Sequence, residues 1–277
     1  MHAKLARILE ETRKTLPGLK SRARELEREA GERPAPLPFT SALRGGPAVR
    51  LIGEVKRRSP SRGEIRGDLD PAALAAELVR GGASAISVLT DGPHFGGSIE
   101  DLRAVVAAVP VPVLRKDFIV DEAQVLEARA AGASALLLIA RVLTDDRLQA
   151  LVREAREFGL EAVVEAHSAD EVDRSLAAGA KVIGINSRDL DTFAIDVEGA
   201  WTLLSRVPAG LVAVAESGMA APEDVARAAA AGADAVLIGT ALSSASEPAL
   251  LASQLSRVAW FGRRPPAQPS APAPARR

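Results

Sequence analysis

The sequence predicts a (β/α)8 barrel of the TIM type, and three observations carry that prediction. One phrase recurs at Gly81-Gly-Ala-Ser-Ala-Ile-Ser-Val-Leu89, Ala131-Gly-Ala-Ser-Ala-Leu-Leu-Leu-Ile139, Ala178-Gly-Ala-Lys-Val-Ile-Gly-Ile185 and Ala231-Gly-Ala-Asp-Ala-Val-Leu-Ile238. In each, a helix ends at a glycine able to adopt the left-handed conformation, and a buried strand follows. Second, apolar runs and amphipathic stretches alternate at the spacing of single βα units, whose crossover takes about a dozen residues or more. Third, polar side chains recur at the C-terminal ends of the apolar runs, the end where barrels of this kind carry their chemistry. A doubly wound open sheet is the alternative, but no G-x-G-x-x-G follows the first strand.

Taken in order, residues 1–48 form an N-terminal helical extension and linker. Leu5, Ile8, Leu9 and Thr12 fall on one helical face. Pro17-Gly18 is expected to interrupt that helix, and the charged stretch 20–29 to resume it. Pro34, Pro36 and Pro38 then lead to Phe39. This extension is positioned to cap one end of the barrel or to make a subunit contact.

The barrel spans 49–262. Four strands are read at 51–55, 111–114, 160–164 and 211–214, and four more follow the glycine loop inside the repeated phrases that end at Leu89, Ile139, Ile185 and Ile238. The helices lie at 71–80, 99–109, 121–131, 144–158, 169–178, 197–207, 221–231 and 248–258. The tail 263–277 is rich in Pro and Ala and is expected to be disordered.

Composition excludes several function classes. Basic and acidic residues nearly balance, 35 against 36, so bulk charge makes no case for nucleic acid or an anionic membrane. Cysteine is absent, which removes disulfides, thiol nucleophiles and thiolate metal sites. Tyrosine is missing and aromatics make up 3%, so stacking on single-stranded nucleic acid has little to work with. Apolar runs are too short to span a bilayer, and Met1-His-Ala-Lys-Leu has no signal-like apolar core; a cytoplasmic protein is expected. His2, His94 and His167 show no metal-ligand spacing, and no metal site is expected.

The strand ends carry the functional signal. Glu54 and Lys56 stand two apart and share the face of Ile52, at the end of an otherwise apolar strand. Lys116 shares a face with Leu114 and Phe118, and Glu165 with Val163; Asn186 ends strand 6 and Glu216 ends strand 7. A single buried charge pair reads as structural, because burial costs several kcal/mol roughly unless the charges are paired or used. Six such groups on one rim of one barrel read as a catalytic site. After strand 7, Ser217-Gly218 precedes a helix start, and Gly239-Thr240 follows strand 8. Glycines there let the backbone approach an anion, at the habitual phosphate position of this fold, so a phosphorylated small-molecule substrate is expected.

At this point the residues resemble a particular family. Ile52-Gly-Glu-Val-Lys-Arg-Arg-Ser-Pro-Ser-Arg-Gly63 is similar to the strand-1 signature of the indole-3-glycerol phosphate synthases. The likeness continues at Phe95-Gly-Gly-Ser98, Leu114-Arg-Lys-Asp-Phe-Ile-Val-Asp121, Val164-Glu-Ala-His167, Ile183-Gly-Ile-Asn-Ser-Arg-Asp-Leu190, Ala215-Glu-Ser-Gly-Met219 and Gly232-Ala-Asp-Ala-Val-Leu-Ile-Gly239.

The resemblance implies a carboxy-lyase of tryptophan biosynthesis. Such an enzyme closes the indole ring of 1-(2-carboxyphenylamino)-1-deoxyribulose 5-phosphate, then releases carbon dioxide and water, without a cofactor. It implies Lys116 as general acid in ring closure, Glu165 as base in dehydration, and Lys56 as the lysine assisting that later step. Glu54 would orient Lys56, with Glu216 and Asn186 completing the polar ring. Phosphate would be held by Ser217, Gly218, Gly239 and Thr240 with Ser59 or Lys56 nearby. Phe95 and Phe118 would form the walls for the anthranilate ring, and Arg188 would meet its carboxylate.

Three positions depart from the family pattern. Arg62 stands where lysine is common, Ala123 where an aromatic is frequent, and Thr240-Ala-Leu-Ser-Ser244 lacks a frequent Met-Arg. His94 and His167 read as loop or supporting histidines. Phosphoribosylanthranilate isomerase, the α subunit of tryptophan synthase, and a non-catalytic barrel scaffold are the rival readings, and a monomer or weak homodimer is expected.

Overall fold

The computed structural model describes residues 3–190, 192, 194–260 and 262; the tail expected to be disordered lies outside them. Eight parallel strands close into a barrel: β1 (Arg50–Val55), β2 (Ala85–Leu89), β3 (Val113–Lys116), β4 (Ala135–Ile139), β5 (Glu161–Ala166), β6 (Val182–Asn186), β7 (Val212–Glu216) and β8 (Ala235–Ile238). Each strand pairs with its neighbours in sequence, and β1 closes the ring on β8 in the register Ile52↔Leu237.

Inward and outward residues alternate strictly. Leu51, Val55, Val113, Ile183, Ala213 and Val236 face the helix layer, while Ile52, Leu114, Val163, Val182, Val214 and Leu237 fill the barrel. The glycine phrase works as its sequence predicts: Gly82, Gly132, Gly179 and Gly232 all take positive φ at the turn from helix to strand.

The strands run further toward their C-terminal ends than hydropathy indicates. Glu165, Asn186 and Glu216 lie within the hydrogen-bonded ladder, as do Arg115 and Lys116, whereas 111–112 do not. Proline at 112 has no N–H to give the ladder. Elsewhere the apolar pattern stops where the side chains begin to face the site, although the backbone pairing continues. The expected helix 197–207 is an α-turn at Val197–Trp201 continued by a 3-10 segment at Thr202–Arg206, and the last helix stops at Leu255.

The N-terminal extension corrects one expectation. Its first helix runs unbroken over Ala3–Ser21 through Pro17, and the break falls at Arg22 before a second helix, Ala23–Glu32. Proline removes one donor to the carbonyl of Arg13, but both residues are exposed and water can serve that acceptor. Leu5, Ile8 and Leu9 join the barrel-interior cluster, as do Phe39 and Leu43 on the turn after the linker. Phe39 and Leu43 belong to the N-terminal end, where Thr40 N–H donates to Glu161 at the start of β5. Leu5 and Ile8 lie at the opposite end, among the residues of the large cavity at the C-terminal rim. The second helix packs Leu26 and Ala30 on Leu126 and Ala130.

Candidate active site

Alternate strands build one layer of the barrel interior from ionisable groups. β1, β3, β5 and β7 contribute Glu54, Lys116, Glu165 and Glu216, where barrels of this kind normally stack branched apolar residues. Two residues down the same strands, Ile52, Leu114, Val163 and Val214 supply the apolar floor. The three carboxylates are at most 2% exposed.

Lys116 sits at the centre of this layer. Its Nζ lies 3.3 Å from Glu165 Oε2 and 3.6 Å from Glu216 Oε2. Lys56 Nζ lies 2.5 Å from Glu54 Oε1. Two glycines make room for the acids: a methyl group built on Gly184 would overlap the Glu216 carboxylate, and one on Gly239 would overlap that of Glu54.

Crowding charges out of water sets their protonation. Burial alone would lower the Lys116 pKa, but Glu165, Glu216 and Glu54 outweigh it and hold the ammonium well above its ordinary value. Burial pushes Glu165 up; Lys116, then His167, and hydrogen bonds from Asn186 and Glu216 reverse that and leave it below the usual carboxylate value. Glu54 is likewise held low against its burial by Lys56 and Lys116. Glu216 is the exception. Burial raises it, Lys116 only partly offsets that, and the Glu165 charge raises it again, to about 8. The layer thus holds ionised carboxylates, a charged ammonium and a carboxyl that keeps its proton at neutral pH.

Above it opens a cavity of about 690 Å³ lined by every residue singled out in the sequence: Glu54, Lys56, Ser59, Phe95, Lys116, Phe118, Glu165, Asn186, Arg188, Glu216, Ser217, Gly218, Gly239 and Thr240. One wall is apolar, with the Phe95 and Phe118 rings 6.3 Å apart at a 39° tilt. The opposite wall is the turn after β7, where Ser217 and Gly218 take φ of 66° and 77° in succession, together with Gly239 and Thr240. Asn186 Oδ1 accepts from the Arg188 N–H at 3.0 Å, and Arg188 Nη1 donates to Ser61 Oγ at 3.3 Å. Ser59 Oγ accepts from the Arg62 N–H at 3.2 Å, which shapes the loop after β1. Burial and the Arg62 charge hold Arg188 below its usual pKa despite Glu54.

Some lining residues were not singled out in the sequence. Leu5 and Ile8 close the apolar wall from the N-terminal helix, and His94 Nε2 ties that helix to the loop after β2 through Glu11 Oε2 at 2.9 Å. The amphipathic face carried the signal for Leu5 and Ile8 but not their destination.

Comparison with known proteins agrees with this geometry. A family model described as indole-3-glycerol phosphate synthase matches residues 5–255. The chain belongs to the indole-3-glycerol phosphate synthase family. The protein of that name from Koribacter versatilis is 44% identical over 92% of this chain and 99% of its own length. That from Nocardioides sp. is 54% identical over 72% of this chain and 76% of its own. Among solved structures, a 3-hexulose-6-phosphate synthase superposes with a TM-score of 0.61 at 19% identity, covering 75% of this chain and 98% of its own, a likeness of fold alone. Among the described residues, no helix is long and apolar enough to cross a membrane.

Proposed function

We propose that the ionisable layer and the cavity above it carry out the family's reaction, indole-3-glycerol phosphate synthesis, with the following division of labour. The ribulose ketone carbon bonds to the ring carbon that bears the carboxylate, and the ketone oxygen takes a proton from Lys116. The ammonium is positioned among carboxylates that hold it charged, so it stabilises the developing oxyanion before it transfers the proton. Carbon dioxide leaves with its bonding pair returned to the ring system. Dehydration follows: the hydroxyl departs with a proton from Lys56, and Glu165 removes the proton whose loss completes the indole. Glu54 orients and charge-balances Lys56. Protonated Glu216 and Asn186 complete the polar ring without adding negative charge.

The rim performs binding. Ser217, Gly218, Gly239 and Thr240, with Ser59, receive the phosphate; Phe95 and Phe118 flank the anthranilate ring; Arg188 meets its carboxylate. The observation that carries this reading is the placement of Lys116 between Glu165 and Glu216 on the floor of a cavity with one apolar wall and one glycine-rich wall. Family membership displaces the isomerase and tryptophan synthase readings, and a scaffold would bind substrate without turning it over.

The test is to mix the purified protein with the carboxyphenylamino-deoxyribulose phosphate and follow indole fluorescence. Steady product supports the reading; tight binding with a flat trace would leave only the scaffold. In single turnover, Glu165→Gln should slow dehydration more than ring closure, so a ring-closed intermediate accumulates. Equal slowing of both steps would remove Glu165 as the dehydration base.

A further inference from the structure

His167 lies two residues beyond Glu165 and therefore returns to the same face of the chain as it leaves β5. It is not among the cavity-lining residues, and its side chain is 4% exposed. Both ring nitrogens face carboxylates. Nδ1 is 3.2 Å from Glu171 Oε2, and Nε2 is 3.5 Å from Glu165 Oε1, with no hydrogen-bond partner closer.

Glu171 is held firmly. Its carboxylate accepts from the His167 backbone N–H at 2.8 Å and from Arg141 Nε at 3.0 Å, and its own N–H caps onto Ser168 Oγ at 3.2 Å at the start of helix Ala169–Ala177. An ionised acceptor in that position takes the Nδ1 proton, sets the plane of the imidazole and aims Nε2 at Glu165; with Nδ1–H donated to Glu171, Nε2 donates to Glu165 when the ring carries both protons.

We infer that His167, anchored by Glu171, is a positioning residue that holds the Glu165 carboxylate in place and keeps it ionised for the dehydration step. The inference rests on Glu165 being the base of the proposed mechanism. Glu165 then has a two-sided clamp: Lys116 on Oε2, shared with the first chemical step, and His167 on Oε1, which takes no part in that step. At 3.5 Å the contact is long, and it shortens when Nε2 donates to the carboxylate in the reacting complex. When Lys116 gives up its proton in ring closure it ceases to support Glu165 electrostatically. His167 is the neighbour that remains.

The groups that face this pair from all sides are Lys116 on β3, Asn186 on β6, Glu216 on β7, Glu54 on β1, and, behind the ring, Glu171 with Arg141 and Asp189. Of these, Glu54 opposes ionisation of Glu165, while Asn186 and protonated Glu216 favour it. Loss of His167 therefore moves its titration upward.

The test is the pH profile of kcat in full-length His167→Asn and Glu171→Gln, beside Glu165→Gln. Asparagine keeps a polar group of similar reach but cannot carry charge. The acid limb of kcat reports the base in the bound complex. It should move up by about one pH unit in His167→Asn, and in the same direction in Glu171→Gln, with KM changing less than about threefold. At pH 5 both variants should accumulate ring-closed intermediate, and at pH 7.5 His167→Asn should regain most of its turnover. An acid limb unchanged in both variants, or a loss of kcat equal at pH 5 and pH 7.5, overturns the inference. If Glu165→Gln itself dehydrates normally, the base assignment fails instead, whatever His167 does.

Discussion

Replacing Lys116 by methionine removes the one cation shared by two buried carboxylates while keeping an unbranched side chain of similar length. In the native layer at pH 7, Glu54 and Glu165 are balanced by Lys56 and Lys116, and Glu216 keeps most of its proton. The variant leaves one negative charge without a partner in a barrel interior. Left ionised, a buried charge stripped of its partner costs about 3–5 kcal/mol. The alternative is to protonate Glu165, starting from the ordinary value of 4.5 in the unfolded chain. That costs about 1.36 kcal/mol per pH unit above 4.5, hence about 0.7 kcal/mol at pH 5 and about 4.8 at pH 8. The cheaper route wins at each pH, so the predicted loss is about 1 kcal/mol at pH 5 and about 3–5 at pH 8. The sign is fixed. A carboxyl raised in the folded state binds more protons folded than unfolded, so stability falls as pH rises. Urea unfolding of both proteins at pH 5, 6.5 and 8, compared at equal m-value, measures it. A penalty that is flat across this range, or larger at pH 5, would refute the claim that Lys116 holds these carboxylates ionised. Turnover should fall about 10²–10⁴-fold, the loss typical of a positioned acid.

Gly184→Ala should displace the Glu216 carboxylate it overlaps and lower kcat by roughly tenfold or more in a folded protein; unchanged kcat would mean the position of Glu216 is immaterial. Because Glu216 rises to about 8 in the folded protein, wild-type stability should decline between about pH 4.5 and pH 8, and Glu216→Gln should decline less steeply in urea unfolding. Parallel curves would show that Glu216 does not titrate in that window. Leu9→Ala opens a gap in the barrel-interior cluster worth about 2–5 kcal/mol unless the helix undocks first. Amide exchange should therefore accelerate in Ala3–Ser21 and not in the strands, and uniform protection in that helix would contradict its docking.

The architecture was legible because its signals are local and repeated. A left-handed glycine turn before each of several apolar runs is written in consecutive residues, and the fold multiplies it around the ring. The ionisable layer was legible for a related reason: period-2 alternation puts Glu54, Lys116, Glu165 and Glu216 in the inward phase of strands that otherwise bury only apolar groups. The misreadings occurred where the deciding contact crosses the barrel or leaves the strand. Hydropathy falls at Glu165, Asn186 and Glu216, the strand-end residues the sequence marks, while the ladder continues through them. Pro17 looked like a helix terminator because proline removes a donor, yet an exposed carbonyl is served by water. Gly184 carries no hint in its own segment that a glutamate from the next strand fills its missing side chain. His167 looked incidental because its two carboxylate neighbours define it only in three dimensions.

A barrel layer made of three acids and two lysines is unstable by composition, and the structure resolves this with one proton. With every group ionised the layer would carry a net negative charge, which would repel a substrate bearing both a carboxylate and a phosphate. A proton on Glu216 brings it to neutrality and leaves both lysines charged. In the proposed reading the anionic ends of such a substrate are met higher up, by Arg188, Arg62 and the glycine-rich turns after β7 and β8, all of which line the cavity. Binding and proton transfer are thereby assigned to different heights of the same cavity. The layer can be tuned for protonation state, at a cost in stability that the apolar floor and the helix layer beneath it absorb, without weakening the groups that hold the substrate.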